Sequence, residues 1–290
     1  MPNLKEVRNR ISSVNSTRQI TSAMKLVSAA KLRRAQDAVV KMRPYAEKLQ
    51  AIMNNVSQSL EGAESPYLVE RELRTVTLVL VTSNRGLCGA FNTQVIRRTT
   101  ALLNGELAAL HQAGKVKFVG IGKKASAWIV RNGFELQAQH DELFNNLTFS
   151  ESVKISESLM QEYKNGQTDK VIFIYNRFLT AASQQVMEET FLPMRPQVQE
   201  QVASAEYIYE PGKAEIIENM IPLSLKTQLF KVVLDSHAAE HGARMTAMHK
   251  ATDNAGELLK SLKLSYNKAR QAAITNEILE IVAGAEALNG

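Results

Sequence analysis

Apolar residues at the front of this chain recur at alternating steps of three and four. Leu4, Val7, Ile11 and Val14 begin the ladder, and Ala35, Val39, Met42, Ala46, Leu49, Met53, Val56 and Leu60 resume it. Between the two runs the same ladder lands on Arg18, Thr21, Lys25 and Ser28, so the stripe reads as interrupted. A repeat of about 3.5 residues keeps one stripe on one side of a slightly under-wound helix, which predicts a left-handed supercoil with a partner helix. Between Asn3 and Leu60 there is no glycine and one proline. That proline, Pro44, lacks a backbone donor and crowds the preceding turn, so a kink or strain is expected there.

The tail of the chain repeats the pattern. Ala255, Leu259, Leu262, Tyr266, Ala269 and Ala273 form one heptad run, and Ile274, Ile278, Ile281, Ala285 and Leu288 a second, offset from it. At ~1.5 Å per residue the two terminal helices would be roughly 85 and 110 Å long, well beyond an ordinary globular helix. Such helices bury their stripes most simply on each other, as an antiparallel hairpin of the chain ends. Small residues on the second helix (Ala238, Ala239, Gly242, Ala243 and Ala247) would let a neighbouring helix come close.

The middle alternates between periods of two and 3.6. Thr75–Thr82, Val116–Ile121 and Lys170–Arg177 read as strands, with further extended segments up to Tyr209. Phe91–Ala113, Lys123–Asn132 and Glu151–Tyr163 read as helices. Alternation of this kind predicts a small parallel-type sheet with flanking helices. The expected architecture is α/β with long helices: residues 1–60 and 212–290 form an antiparallel coiled coil, and residues 61–211 form a central Rossmann-like α/β domain.

Composition narrows the function. The 290 residues are 44% hydrophobic but only 6% aromatic, which suits helices packed through small and unbranched side chains. The net charge of +6 is concentrated at the front, where Lys5, Arg8, Arg10, Arg18, Lys25, Lys31, Arg33, Arg34, Lys41, Arg43 and Lys48 face only Glu6, Asp37 and Glu47. Acidic partners are implied, and charge alone leaves nucleic acid, an anionic membrane and an acidic protein groove open. The basic run has almost no interleaved aromatics for base stacking, which argues against nucleic acid. Cys88 is the only cysteine, so no disulfide can form within the chain and a reducing compartment is expected. Charged residues appear by Lys5 and Glu6, so no secretory signal is expected. The longest plain apolar run, Val76–Val81, falls far short of the ~20 residues that span a bilayer.

Three segments invite a chemical reading. Arg85-Gly86-Leu87-Cys88-Gly89 follows a strand and precedes a helix, where a nucleotide fold places its phosphate loop, and Gly120-Ile121-Gly122-Lys123 does the same after the next strand. Both lack the remaining residues of a dinucleotide or P-loop motif, and glycines for tight strand-to-helix turns account for them. His237, Glu240 and His241 spell H-x-x-E-H, the order of an inverted zinc-hydrolase motif. With no third ligand to nominate, they are expected on a solvated helix face. Cys88 and Trp128 are read as buried core residues. No catalytic, cofactor-binding or metal-binding residues are expected.

Five blocks share one resemblance. Ile274-Thr275-Asn276-Glu277-Ile278-Leu279-Glu280-Ile281-Val282-Ala283-Gly284-Ala285 closes the chain, and Ile20-Thr21-Ser22-Ala23-Met24-Lys25-Leu26-Val27 lies in the first helix. Arg43-Pro44-Tyr45-Ala46, Thr82-Ser83-Asn84-Arg85-Gly86-Leu87-Cys88-Gly89 and Ala243-Arg244-Met245 with Ala251-Thr252-Asp253-Asn254-Ala255 complete the set. From end to end the chain resembles the γ subunits of F-type ATP synthases, bacterial type. The resemblance implies a non-catalytic central rotor stalk. It would couple ion flow through a membrane ring to ATP synthesis and hydrolysis in the ring of α and β subunits. It implies one copy per complex, with α, β, ε and the c-ring as partners. It also implies peripheral attachment to the cytoplasmic face of the bacterial inner membrane through the complex alone. By position, Met24, Lys25 and Arg244 are expected to face acidic β levers, and Arg270, Gln271, Thr275 and Glu277 to contact β loops. Ile281, Gly284, Ala285 and Leu288 are expected in an apolar collar. Arg43, Pro44, Tyr45, Tyr207 and Glu210 are expected at the foot, near ε and the c-ring. Asn84, where the family usually has Asp, and Ala90, where it commonly has Gly, weaken any ligand role for the loop.

Overall fold

A computed structural model of the chain describes residues 4–58, 65–194 and 213–289. Tyr207, Glu210 and Leu60 lie outside the described residues, as do the side chains of Arg43, Met53, Val56 and Leu288. Helix α1 (Leu4–Gln58) runs through Pro44, and the closing helix α6 (Lys213–Asn289) runs through Pro222. Two compact units result. One comprises the chain up to Ser28 together with Met245 onward, and the other comprises Ala29–Arg244.

The first unit is a helical hairpin. Arg8 donates to the Tyr266 hydroxyl at 2.9 Å, and the Thr252 hydroxyl meets that of Thr21 at 2.8 Å. One partner number rises as the other falls, which fixes an antiparallel register. The seam carries Val7, Ser28, Met248, Ala255 and Leu259 as buried residues, with Leu4, Ile11, Val14, Leu262, Tyr266 and Ala269 half-buried. Thr21 and Lys25 are half-buried too, so the apparent interruption is one of composition and not of geometry. The helix keeps its face and simply places polar groups in the seam, where the threonine pair satisfies its own hydroxyls. After Ala272 the seam ends: Ala273 is exposed, and among the described residues nothing covers the second heptad run from Ile274.

The second unit is a three-layer α/β domain. Its five-stranded sheet has the order β3-β2-β1-β4-β5, built from β1 (Val76–Val81), β2 (Val116–Ile121), β3 (Leu136–Gln139), β4 (Lys170–Thr180) and β5 (Ser183–Leu192). The first four strands in that order are parallel, and β5 returns antiparallel beside β4, so the sheet is mixed rather than wholly parallel. Alternate side chains of each strand go to opposite faces. Leu78, Leu80, Phe118, Ile172 and Ile174 pack with α2 (Phe91–Asn104) and α4 (Lys123–Arg131). Val79, Val81, Phe173 and Tyr175 pack with α5 (Phe149–Lys164) and with Ile221, Leu225, Leu229, Val232 and Val233 of α6.

Several expectations shift in detail. The helix expected over Phe91–Ala113 is broken: α2 stops at Asn104, and a separate short helix α3 (Ala108–Gln112) follows. Gly105 makes the break. Its backbone leaves the helical region, and a Cβ there would stand 3.0 Å from the Ala101 carbonyl. Strand β3 was not expected, because Leu136-Gln137-Ala138-Gln139 is short and half polar, as an edge strand covered on one side permits. Helix α5 begins where Thr148 accepts from the Glu151 amide, a capping arrangement visible in the spacing Thr148-x-x-Glu151. The small residues of α6 do allow close approach, but the visitor includes a hairpin turn: a Cβ on Gly242 would lie 3.0 Å from the Ala181 carbonyl, between β4 and β5.

Candidate functional site

In the hairpin unit the polarity of α1 inverts between residues 18 and 28. The seam there holds Thr21, Lys25 and Ser28, whereas Ile20, Leu26 and Val27 point outward at 60%, 66% and 58% exposure. Three outward apolar side chains on one short helical stretch leave a surface that water covers poorly. The expected contact residues Met24 and Lys25 are half-buried beside this face. Heptad reasoning missed the three outward residues because they fall off the ladder. The signal was present nonetheless, since apolar residues there sit wherever the ladder does not.

A second uncovered face occupies the end of α6. Ile274, Ile278, Leu279, Ile281 and Val282 are all exposed, and Ile281 reaches 69%. Arg270, Gln271, Thr275, Glu277, Gly284 and Ala285 are likewise exposed, with the Thr275 hydroxyl turned back onto the Gln271 carbonyl at 3.0 Å. Below this face a cleft of about 540 Å³ opens at Gly256, and Arg8, Arg18, Lys260 and Lys263 line it without a carboxylate. Apolar faces and a basic cleft together describe a surface for a protein partner that brings both apolar and acidic groups.

The glycine loop of the α/β domain is built shut. The sheet order places a topological switch point between the carboxyl ends of β1 and β4, where folds of this layout bind ligands. Here Cys88 and Phe91 fill that crevice with Ala239 and Ala243 of α6, and Asn176 closes it by donating to the Phe91 carbonyl at 2.9 Å. The first three amides of α4, which could grip a phosphate, are already engaged. Lys123 donates to Asn84 Oδ1 at 2.9 Å, Lys124 to the Ser83 carbonyl at 3.2 Å, and Ala125 to Thr82 Oγ1 at 2.7 Å. Gly122 is required for this closure: its φ is +101°, and a Cβ would fall 2.2 Å from the Thr82 carbonyl oxygen. Asn84 therefore acts as a structural bridge, also donating to the Asp141 carbonyl at 2.7 Å. Cys88 is buried, as expected, and accepts a hydrogen bond from Asn92. Trp128 is half-buried against Phe118 and Phe134.

His237, Glu240 and His241 are not on a solvated face. This part of α6 is covered on most sides by the α/β domain, which buries Glu240 and His241, and His237 stacks on Phe144. The two Nε2 atoms lie 3.1 Å apart, so only one of them carries the proton between the rings and the two cannot both be charged. Burial lowers the pKa of His237 to about 4 and of His241 to about 3, with Lys31 and Arg244 pushing in the same direction. A positive field of this kind also opposes a metal cation, and among the described residues no three His, Cys, Asp or Glu side chains converge. Arg244 belongs to this buried cluster. It pairs with Glu240 at 2.5 Å and donates to the carbonyls of Arg85 at 2.9 Å and Gly86 at 3.3 Å. The other expected residues are less engaged: Pro44 and Tyr45 are exposed on α1.

Comparisons with known proteins agree across the whole chain. A family model described as ATP synthase matches residues 3–288. A protein from Cytophaga hutchinsonii named ATP synthase gamma chain is 54% identical over 294 residues, and one from Flavobacterium johnsoniae with the same name is 55% identical over 293; each alignment covers all of both chains. Among solved structures, a chain of the Euglena gracilis mitochondrial ATP synthase OSCP/F1/c-ring assembly superposes with a TM-score of 0.71 at 22% identity, over 98% of this chain and 94% of that one. A chain of the rotor of the same synthase gives 0.65 at 20% identity, over 93% of this chain and 98% of that one.

Proposed function

Because this chain belongs to the ATP synthase γ-chain family, we propose that its helical hairpin turns inside a ring of α and β subunits while its α/β domain rests against ε and the c-ring. As a γ subunit of an F-type ATP synthase, the chain is a non-catalytic part of the rotary enzyme and a peripheral member of a membrane complex. No helix among the described residues is long and apolar enough to cross a membrane. The relatives from Cytophaga hutchinsonii and Flavobacterium johnsoniae are bacterial, which supports a place on the cytoplasmic face of the inner membrane.

The observation that carries the reading is the inverted stretch of α1 together with the uncovered end of α6. A rotor needs surfaces that partners touch in turn without locking. Exposed side chains such as Ile20, Leu26, Val27 and Ile281 offer broad apolar contact. Arg8, Arg18, Lys260, Lys263 and the neighbouring Lys25 supply attraction to acidic β levers at longer range, as one-sided charge does. Met24, Lys25, Arg270, Gln271, Thr275 and Glu277 belong to these contacts. Ile281, Gly284 and Ala285 belong to the tip in the apolar collar, and Pro44 and Tyr45 to the foot.

Cysteine cross-linking tests the placement. With Cys88 replaced by Ser, Ile281→Cys in the complex reconstituted with α, β, ε and the c-ring, treated with a reducible thiol-directed cross-linker, should cross-link to α or β and stop turnover, and reduction should restore it. A cross-link from Ile281→Cys only to ε or the c-ring would invert the proposed orientation.

A further inference from the structure

The loop Arg85–Gly89 is unusually shaped and unusually held. Leu87 has φ of 63° and Gly89 of 58°, so two of five residues are left-handed, and one of them carries a side chain. A left-handed leucine costs roughly 1 kcal/mol and gains nothing locally, since its side chain is 64% exposed. Something must hold the loop in this shape. The Arg85 carbonyl receives three donors, Ser83 Oγ at 2.7 Å, the Arg244 guanidinium at 2.9 Å and, more weakly, the Cys88 thiol at 3.9 Å, and the Gly86 carbonyl receives Arg244 as well. Arg244 makes these bonds from inside the protein, with only 9% of its side chain exposed. A buried guanidinium needs a counter-charge, and Glu240, equally buried one helical turn earlier, supplies it.

We propose that Glu240 and Arg244 form a positioning latch, in which Glu240 orients the Arg244 fork and the fork fixes the Arg85 and Gly86 carbonyls, so that α6 dictates the shape in which this loop meets the rest of the synthase. This rests on the γ-subunit reading and reassigns Arg244 within it. Both its terminal nitrogens bond within the chain and its charge is matched by Glu240, so it acts through the loop and not as a free cation. Arginine is required because one planar fork reaches a carboxylate and two carbonyls together, whereas an ammonium group concentrates its donors at a single point. Two separate pieces of chain are thereby tied, since Arg244 ends the α/β unit in α6 and the loop follows β1.

The test uses the complex reconstituted from α, β, ε, the membrane sector and full-length γ variants. Replacing both partners, as E240M/R244M, removes the latch without leaving an unpaired buried charge, so assembly and melting temperature should stay near wild type. In that complex the amides of Ser83 and Phe91, which bond Asn92 Oδ1 and the Cys88 carbonyl at the two ends of the loop, should exchange hydrogen at least about tenfold faster, and ions pumped per ATP hydrolysed should fall. R244K provides the second reading, because it keeps the charge opposite Glu240 but cannot hold both carbonyls; it should accelerate the same amides. Unchanged exchange at Ser83 and Phe91 in R244K, or in an assembled E240M/R244M complex, overturns the latch. The γ-subunit reading fails separately, if the wild-type chain itself neither assembles nor alters turnover.

Discussion

The buried histidine pair makes the stability of the α/β unit depend on pH in a calculable direction. Unfolded, both imidazoles titrate near 6.5, whereas in the folded chain His237 is lowered to about 4 and His241 to about 3. Folded pKa values below unfolded ones mean that the unfolded chain binds more protons between those limits, so stability falls as pH falls from about 6.5 and the pair adds no slope above it. Comparing pH 5 with pH 8, each imidazole accounts for about 2 kcal/mol and the pair for about 4 kcal/mol. Urea unfolding of the full chain, followed by far-ultraviolet circular dichroism at pH 8, 7, 6 and 5, measures this directly. The comparison chain is H237Q/H241Q, in which an amide pair replaces the imidazole pair. His140 is also held below its ordinary pKa by burial, but it is present in both chains and cancels. The wild type should lose about 4 kcal/mol more than H237Q/H241Q between pH 8 and pH 5. Parallel curves would show that the pair is hydrated and protonated in the native state, and the buried placement of α6 would be wrong.

Four further substitutions probe other parts of the account. Leu259→Asp puts an unpaired charge at a buried seam position and should weaken the hairpin unit by about 3 kcal/mol or more. Leu262→Asp, at a half-buried position, should cost less; local hydrogen exchange along α6 reads both. Gly122→Ala forces a side chain into a left-handed position against the Thr82 carbonyl and should lower stability by about 2–4 kcal/mol in thermal melting. Val27→Ser alters an exposed face and should leave the isolated chain within about 0.5 kcal/mol of wild type. Its effect should appear instead as slower turnover once α and β are added.

Much of this fold was legible because periodicity survives without tertiary information. The steps from Leu4 to Val14 and from Ala255 to Ala269 marked the seam, and the apolar runs Val76–Val81 and Val116–Ile121 marked central strands. What escaped was whatever depends on a partner element. Thr21, Lys25 and Ser28 looked like a break because composition cannot show that a polar seam position still faces a helix. His237 and His241 looked solvated because the sequence does not reveal that the α/β domain covers α6. Strand β3 was too short and polar to stand out, and Gly105 gave the only local sign that α2 would stop. The proposed contact faces were half visible: the family blocks point to Met24, Lys25 and the tip, while Ile20, Leu26 and Val27 needed the register of the hairpin to show that they face outward.

The central claim is that this chain is the shaft of a rotary ATPase and has no activity alone. Mixing it with α and β subunits from the same genome, then measuring ATP hydrolysis and the composition of the eluted complex, tests that claim most directly. The account predicts one copy per three α and three β subunits with altered turnover, and no hydrolysis by the chain by itself. Elution of the chain alone, with turnover unchanged where α and β assemble, would contradict it.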